Sequence, residues 1–204
     1  MRLATLGGLY VAVVLSAQIG AQKFIRLPFT HLVAPGGVCA IGIVLALVQL
    51  AHYSGPTRRE GAINAQLLIG LGFAGSAFFA AYIALLVHSH PGVPGQEFDR
   101  VVGSTWRIVA ASLAAFIVSE TVDNVVGAPL RGRVHDGARV VVSAGASAPI
   151  DSFVFLVLAF GWAGVHFFEG QLVGKLASSI VIGIPLVLLG RRFLPANAGD
   201  IVTA

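Results

Sequence analysis

The chain begins with three long apolar segments that contain no charged residue, at residues 3–22, 32–51 and 62–87. A helix needs about 20 apolar residues to cross the hydrocarbon core of a bilayer. Three further apolar segments follow in the second half of the chain, at residues 106–126, 140–162 and 172–190. The pattern predicts an all-α integral membrane protein, with one domain of six transmembrane helices over residues 1–204.

The composition excludes the common alternatives to a membrane protein. Hydrophobic residues make up 56% of the chain and charged residues 11%, whereas a soluble domain usually has about 25% charged residues. A disordered chain is also excluded, because such chains are poor in apolar residues. The first segment follows Arg2 as a signal peptide would, but its apolar run is long and no clear A-x-A cleavage site follows. It is predicted to be a retained first span.

The distribution of Lys and Arg predicts the orientation. If the six segments cross in alternating directions, eight of the 13 basic residues fall on one side and five on the other. Cytoplasmic loops carry the excess of basic residues, so both termini are predicted to be cytoplasmic in a multi-pass protein of the cytoplasmic membrane. Short basic runs between apolar segments are typical of loops that face anionic lipid rather than nucleic acid. The predicted partners are therefore the lipid bilayer and a small solute.

Five charged residues fall within the predicted spans, namely Arg107, Glu120, Asp123, Asp151 and Lys175. A charged side chain at the bilayer centre costs about 2.5–3.5 kcal/mol even on a lenient scale, and such groups usually face the bundle interior or a wet cavity. Glu120 and Asp123 are three residues apart and share one helix face. Two interpretations stay open. The acids pair with Arg107, Lys175 or loop arginines and lock the bundle, or they line a cavity that holds a solute.

No catalytic or nucleotide-binding motif accompanies these charges. The sequence contains no H-E-x-x-H, no G-x-S-x-G and no G-x-x-x-x-G-K-[ST], so no enzyme activity, metal or cofactor is predicted. Amides at Gln18, Gln49 and Gln171 suit a ligand with both donors and acceptors, such as a heterocyclic base, although amides in spans also bridge helices. Gly170 and Gly174 could pack two helices within one chain or between chains, which leaves a homo-oligomer open.

Several motifs stand in a fixed order in the second half of the chain. They are AASLAAFIVSETVD at residues 110–123, PLR at 129–131, DSFVF at 151–155, AFG at 159–161 and GQLVGK at 170–175. Over about residues 107–192 this order resembles the queuosine-precursor transporter family, also called the vitamin-uptake transporter family, and in particular its actinobacterial-type branch. The first half matches more weakly. The family's second span ends in a stretch that bears an acid, whereas the corresponding residues 45–52 contain no acid and only Gln49 is retained.

The resemblance implies six helices with both ends cytoplasmic and a fold similar to the substrate-binding subunits of energy-coupling-factor transporters. It also implies import of a 7-deazaguanine base. A carboxylate can accept the adjacent N–H and amino groups of such a base as a bidentate pair, and Glu120 is the first candidate for this role, with Asp151 second. Asp123 completes the acidic set, and Lys175 could keep one of the acids ionised.

The remaining candidates would contact the other parts of the base. Gln18, Gln49 and Gln171 could contact its carbonyl and ring nitrogens. A flat ring also needs an aromatic or apolar wall, and the candidates for it are Phe116, Phe153 and Trp106. Two alternatives stay open: an importer of another heterocycle or vitamin, which the missing acid in the second span favours, and a helix bundle that transports nothing.

Overall fold

The computed structural model describes residues 3–88, 103, 105–130 and 136–192, and in these ranges the chain forms six helical segments. Five of them are single α-helices, and the sixth combines two α-helices around a π-helical turn. The α-helices are α1 (Leu3–Gly20), α2 (Val38–Tyr53), α3 (Arg58–His88), α4 (Thr105–Leu130), α5 (Asp136–Phe160), α6 (Phe168–Ser178) and α7 (Ile184–Arg191). The predicted all-α fold class is confirmed.

The helices have the length and the surface of membrane helices. In the described ranges, three helical stretches are long and apolar enough to cross a bilayer, namely Leu3–Gly20, Arg59–Val87 and Trp162–Arg191, and three shorter apolar ones accompany them. Large apolar side chains such as Phe78 and Leu188 are exposed on their outer faces. Helices that are apolar on all sides are typical of membrane spans. The chain is an all-α membrane protein.

A short β-hairpin joins α1 to α2. Strands β1 (Phe24–Arg26) and β2 (Val33–Pro35) pair antiparallel. The sequence predicts a loop over residues 23–31 and a helix from residue 32, and this start is wrong, because α2 begins at Val38. Pro35 is the last strand residue, and it has no N–H with which to extend the ladder. The strand therefore occupies the first residues of the predicted second span.

The connection between the fifth and sixth segments also differs from the prediction. The predicted fifth span runs to residue 162, but α5 ends at Phe160 and Gly161 has a φ of 70°. Glycine adopts this left-handed conformation without the strain that a Cβ causes, and it commonly terminates helices. A 3₁₀ turn (Trp162–Phe167) follows, and α6 begins at Phe168, four residues before the predicted start at residue 172.

The sixth segment lies against α2 at backbone distance. Between α6 and α7 it contains a π-helical turn (Ser179–Gly183). A Cβ on Gly42 would collide with the carbonyl oxygen of Ser178. Ser178 Oγ accepts a hydrogen bond from the Gly42 N–H at 2.9 Å and donates one to the Cys39 carbonyl at 3.0 Å. Small residues at such crossings let membrane helices approach closely.

The glycines of the Gly170-x-x-x-Gly174 motif make contacts within the chain. A Cβ on Gly170 would collide with the carbonyl oxygen of Val33 in β2, and a Cβ on Gly174 would lie 2.8 Å from Val38 Cγ2 at the start of α2. The motif therefore packs α6 onto the hairpin and onto α2. A homo-oligomer stays a prediction.

Candidate functional site

A cavity of about 150 Å³ lies between the six helical segments, toward the end of the bundle that carries the hairpin. An apolar cavity of about this volume in another protein binds benzene, so the space can hold a small ring compound. Its described lining consists of Tyr10, Val14, Ala17, Gln18, Ala21, Pro35, Gly37, Val38, Ile41, Val44, Ile69, Gly72, Phe73, Ser76, Ile108, Ser112, Leu113, Phe116, Asp151, Phe155, Gln171 and Lys175.

An ion pair joins α5 and α6 at this cavity. Lys175 Nζ bonds to Asp151 Oδ2, and the two side chains are 8% and 23% exposed. These are the charged residues among the described lining. A buried charge that loses its partner is strongly destabilising, so each member of the pair makes the other tolerable. Arg107 lies outside the cavity, where it is exposed and its Nε donates to the Leu158 carbonyl at 3.0 Å.

Two glutamines bring amide groups to the same cavity. Gln18 on α1 and Gln171 on α6 are each 4% exposed. Gln18 Nε2 donates to Ser76 Oγ on α3 at 2.7 Å. The Oε1 atoms of Gln18 and Gln171 are buried and accept no hydrogen bond. A buried acceptor without a partner costs about 1–3 kcal/mol. Two residues that line the cavity therefore have buried hydrogen-bond acceptors without a partner among the described residues.

The rest of the lining is mostly apolar and partly aromatic. Phe116 on α4, Phe155 on α5, Phe73 on α3 and Tyr10 on α1 contribute rings from different sides. Tyr10 also belongs to an apolar cluster of α1, α2 and α3. Apolar walls with a few placed polar groups are the usual composition of a small-molecule site.

Three of the predicted residues lie away from the cavity. Phe153 is 43% exposed and Trp106 is 45% exposed. Each is two positions from a lining residue of its own helix, and two positions turn a side chain by about 200°. Gln49 lies on α2 five residues beyond Val44, which is about 7.5 Å further along the axis and on another side of the helix. It does not contribute to the cavity lining.

The carboxylates of Glu120 and Asp123 lie outside what the structure describes, and only their place on α4 can be stated. Glu120 is four residues, or about 6 Å, beyond Phe116 along the helix axis. Asp123 is seven residues beyond Phe116, which is close to two full turns. Both therefore belong to the face of α4 that contains Phe116, further from the hairpin.

Sequence reasoning missed several lining residues. Ser76, which bonds to Gln18, lies on the charge-free third segment, and Ser112, Phe73 and Phe155 carry no sequence signal that separates them from ordinary span residues. A sequence signal existed for two lining residues that were predicted, Gln171 and Lys175, because their spacing of four places both on one face of α6.

The arrangement is one that membrane transporters commonly have. Among the described residues there is no group of three or more His, Cys, Asp or Glu that could hold a metal ion. Buried polar and charged side chains around a cavity between membrane helices are typical of the solute sites of transporters.

The chain belongs to the family described as "Putative vitamin uptake transporter", whose profile matches residues 40–190. This match takes in most of α2, all of α3 to α6 and most of α7, and so extends the resemblance that the sequence motifs indicate from about residue 107. No curated protein and no solved structure matches the chain significantly. The family is one of membrane transporters for small molecules.

Proposed function

We propose that the protein imports a 7-deazaguanine base, a precursor of queuosine, across the cytoplasmic membrane. Membership in an uptake family and the motif order of the second half of the chain support this solute. The observation that carries the proposal is the content of the cavity, in which the carboxylate of Asp151, two buried amides and aromatic walls occur together. These groups suit a flat base with N–H donors at its edges.

The proposed binding mode uses the carboxylates for the guanine-like edge. An ionised carboxylate offers about four acceptor positions, so Asp151 can keep Lys175 and still accept an N–H from a ligand. Glu120 and Asp123 lie beyond Phe116 on the same face of α4. We propose that they bind the base next, as it moves toward the other end of the bundle. Phe116 forms part of the wall that the ring stacks against.

The test is uptake in a host that cannot make queuosine precursors but can use them. We expect the chain to restore the modified nucleoside in tRNA when a 7-deazaguanine base is supplied at low concentration. Asp151→Asn is expected to lower uptake at least about tenfold, because the amide cannot neutralise Lys175 or offer two acceptor oxygens. Glu120→Gln should have a similar effect.

The matched control for this test is Glu169→Gln, which removes an exposed carboxylate at the start of α6. It should leave uptake unchanged at equal membrane levels of protein. Full uptake by Asp151→Asn and Glu120→Gln would contradict the proposed site. A complete failure of the unmodified chain to restore the nucleoside, with the protein present in the membrane, would contradict the solute.

A different heterocycle or vitamin is the second candidate solute. The specific observation in its favour is that α2 contributes only the apolar side chains of Val38, Ile41 and Val44 to the described lining. The queuosine-precursor transporters that the chain resembles bear an acid in their second span. Competition by a panel of unlabelled heterocycles against uptake of the labelled 7-deazaguanine base would separate the two. A helix bundle that transports nothing has less support, because it gains nothing from two buried amide oxygens without a partner.

The proposed orientation can be tested with Cys39. It is the sole cysteine of the chain and is exposed at the start of α2, beside the hairpin. If both termini are cytoplasmic, this end of α2 faces outward, so a membrane-impermeant maleimide should label intact cells. The Cys39→Ser variant should take up no label. Labelling that requires permeabilised cells would reverse the orientation.

A further inference from the structure

The two unsatisfied carbonyl oxygens of the cavity point to a recognition element. Gln18 and Gln171 come from α1 and α6, each is 4% exposed, and the Oε1 atom of each lacks a partner. Buried polar atoms nearly always have a hydrogen-bond partner in native proteins. A ligand that donates to both atoms would complete the site.

The fold restrains both glutamines. The bond from Gln18 Nε2 to Ser76 Oγ ties the Gln18 amide to α3. Gln171 lies on a helix whose backbone is fixed at Gly170 against Val33 and at Gly174 against Val38. Buried acceptors discriminate between ligands, because a ligand without the matching donor leaves them unpaired.

We propose that Gln18 and Gln171 are specificity-determining acceptors that each receive an N–H of the transported compound, so that the site takes a free heterocyclic base and rejects its N-substituted forms, the nucleoside included. The inference rests on the proposed function, because it specifies which side chains accept hydrogen bonds from the transported base. The cavity volume of about 150 Å³ agrees with it, since a space of this size accommodates a small ring system. The carboxylate of Asp151 remains available for a further donor.

The experiment is a binding titration on the purified full chain in detergent. The probes are 7-deazaguanine and its N1-methyl and N9-methyl derivatives, with binding followed by calorimetry. The unmodified protein should bind at least one methyl derivative about 10- to 100-fold more weakly than the parent base, the usual effect of one buried group left unpaired. Gln18→Met and Gln171→Met should each weaken binding of the parent base by a similar factor.

The decisive readout is the coupling between ligand and protein changes. A methyl group that removes the donor read by Gln18 should cost little further affinity in Gln18→Met, whereas a merely structural glutamine would leave the two losses additive. The control is Gln66→Met, an exposed glutamine of α3 outside the cavity lining, which should bind like the unmodified protein. Where a methionine variant does not fold, the methylation series on the unmodified protein decides.

Three outcomes would overturn the inference. The first is equal binding of the parent base and all its methyl derivatives, and the second is unchanged affinity in folded Gln18→Met and Gln171→Met. The third is no binding of 7-deazaguanine, hypoxanthine, a pterin or a flavin-like tricycle. If 7-deazaguanine fails but another of these compounds binds with the same dependence on the two glutamines, the proposed solute is wrong and the inference stands.

Discussion

Lys175→Met is expected to abolish uptake and to lower the free energy of unfolding by about 3–5 kcal/mol, the cost of breaking a buried ion pair from one side. The substitution keeps most of the side-chain volume and removes the charge. Asp151 would then remain in the cavity without the cation that bonds to it. Thermal melting of the purified protein in detergent, with an uptake assay at matched membrane levels, measures both effects.

Two comparisons separate the effect of losing the Lys175 charge from the effect of changing the packing around it. Lys23→Met, at an exposed position before the hairpin, should change the free energy of unfolding by less than about 0.5 kcal/mol. The double variant Lys175→Met with Asp151→Asn should recover much of the lost stability, since no unpaired charge remains, and yet stay inactive. A double variant that transports normally would show that the pair only holds α5 and α6 together.

Gly42→Ala is expected to have the second large effect, a loss of about 1–3 kcal/mol in the free energy of unfolding, because overpacking forces a close contact apart. The added Cβ would collide with the Ser178 carbonyl oxygen. It would also disturb the bond from the Gly42 N–H to Ser178 Oγ. Proteins with this change should melt at lower temperature and reach the membrane in smaller amounts.

The matched change for Gly42→Ala is Gly70→Ala on α3. Nothing lies within 4 Å of a Cβ at Gly70, so alanine should be neutral there or stabilise the helix by up to about 1 kcal/mol. Melting curves of the two variants side by side make the comparison. Equal stabilities would mean that α2 and the sixth segment do not approach as closely as described.

The sequence predicts the helices well for a physical reason. A segment without charge that is long enough to cross a bilayer has few alternatives to a helix, since lipid cannot satisfy its backbone. The ends of the helices were less predictable, because they depend on the local conformation of the backbone. Pro35 and the hairpin delay the start of α2, and Gly161 ends α5 before the predicted residue.

The candidate site was predictable in residue type and only partly in position. Gln18, Gln171, Asp151 and Lys175 are polar groups that an apolar span does not otherwise favour, and all four line the cavity. Phe153 could not be separated from Phe155 by residue type. The choice between them depends on the rotation of α5 against its neighbours, which is fixed by packing between distant segments.

The contacts of the sixth segment also bear on how the protein is made. Residues from Phe168 onward leave the ribosome after the other helices, yet α2 and the hairpin complete their packing on them at Gly42 and Gly170. A nascent chain with five inserted helices therefore presents unmatched backbone grooves to lipid and lacks one wall of the cavity. Premature termination should yield a substrate for membrane proteolysis rather than a weakened carrier, and the chain would become competent only once the sixth segment has been inserted.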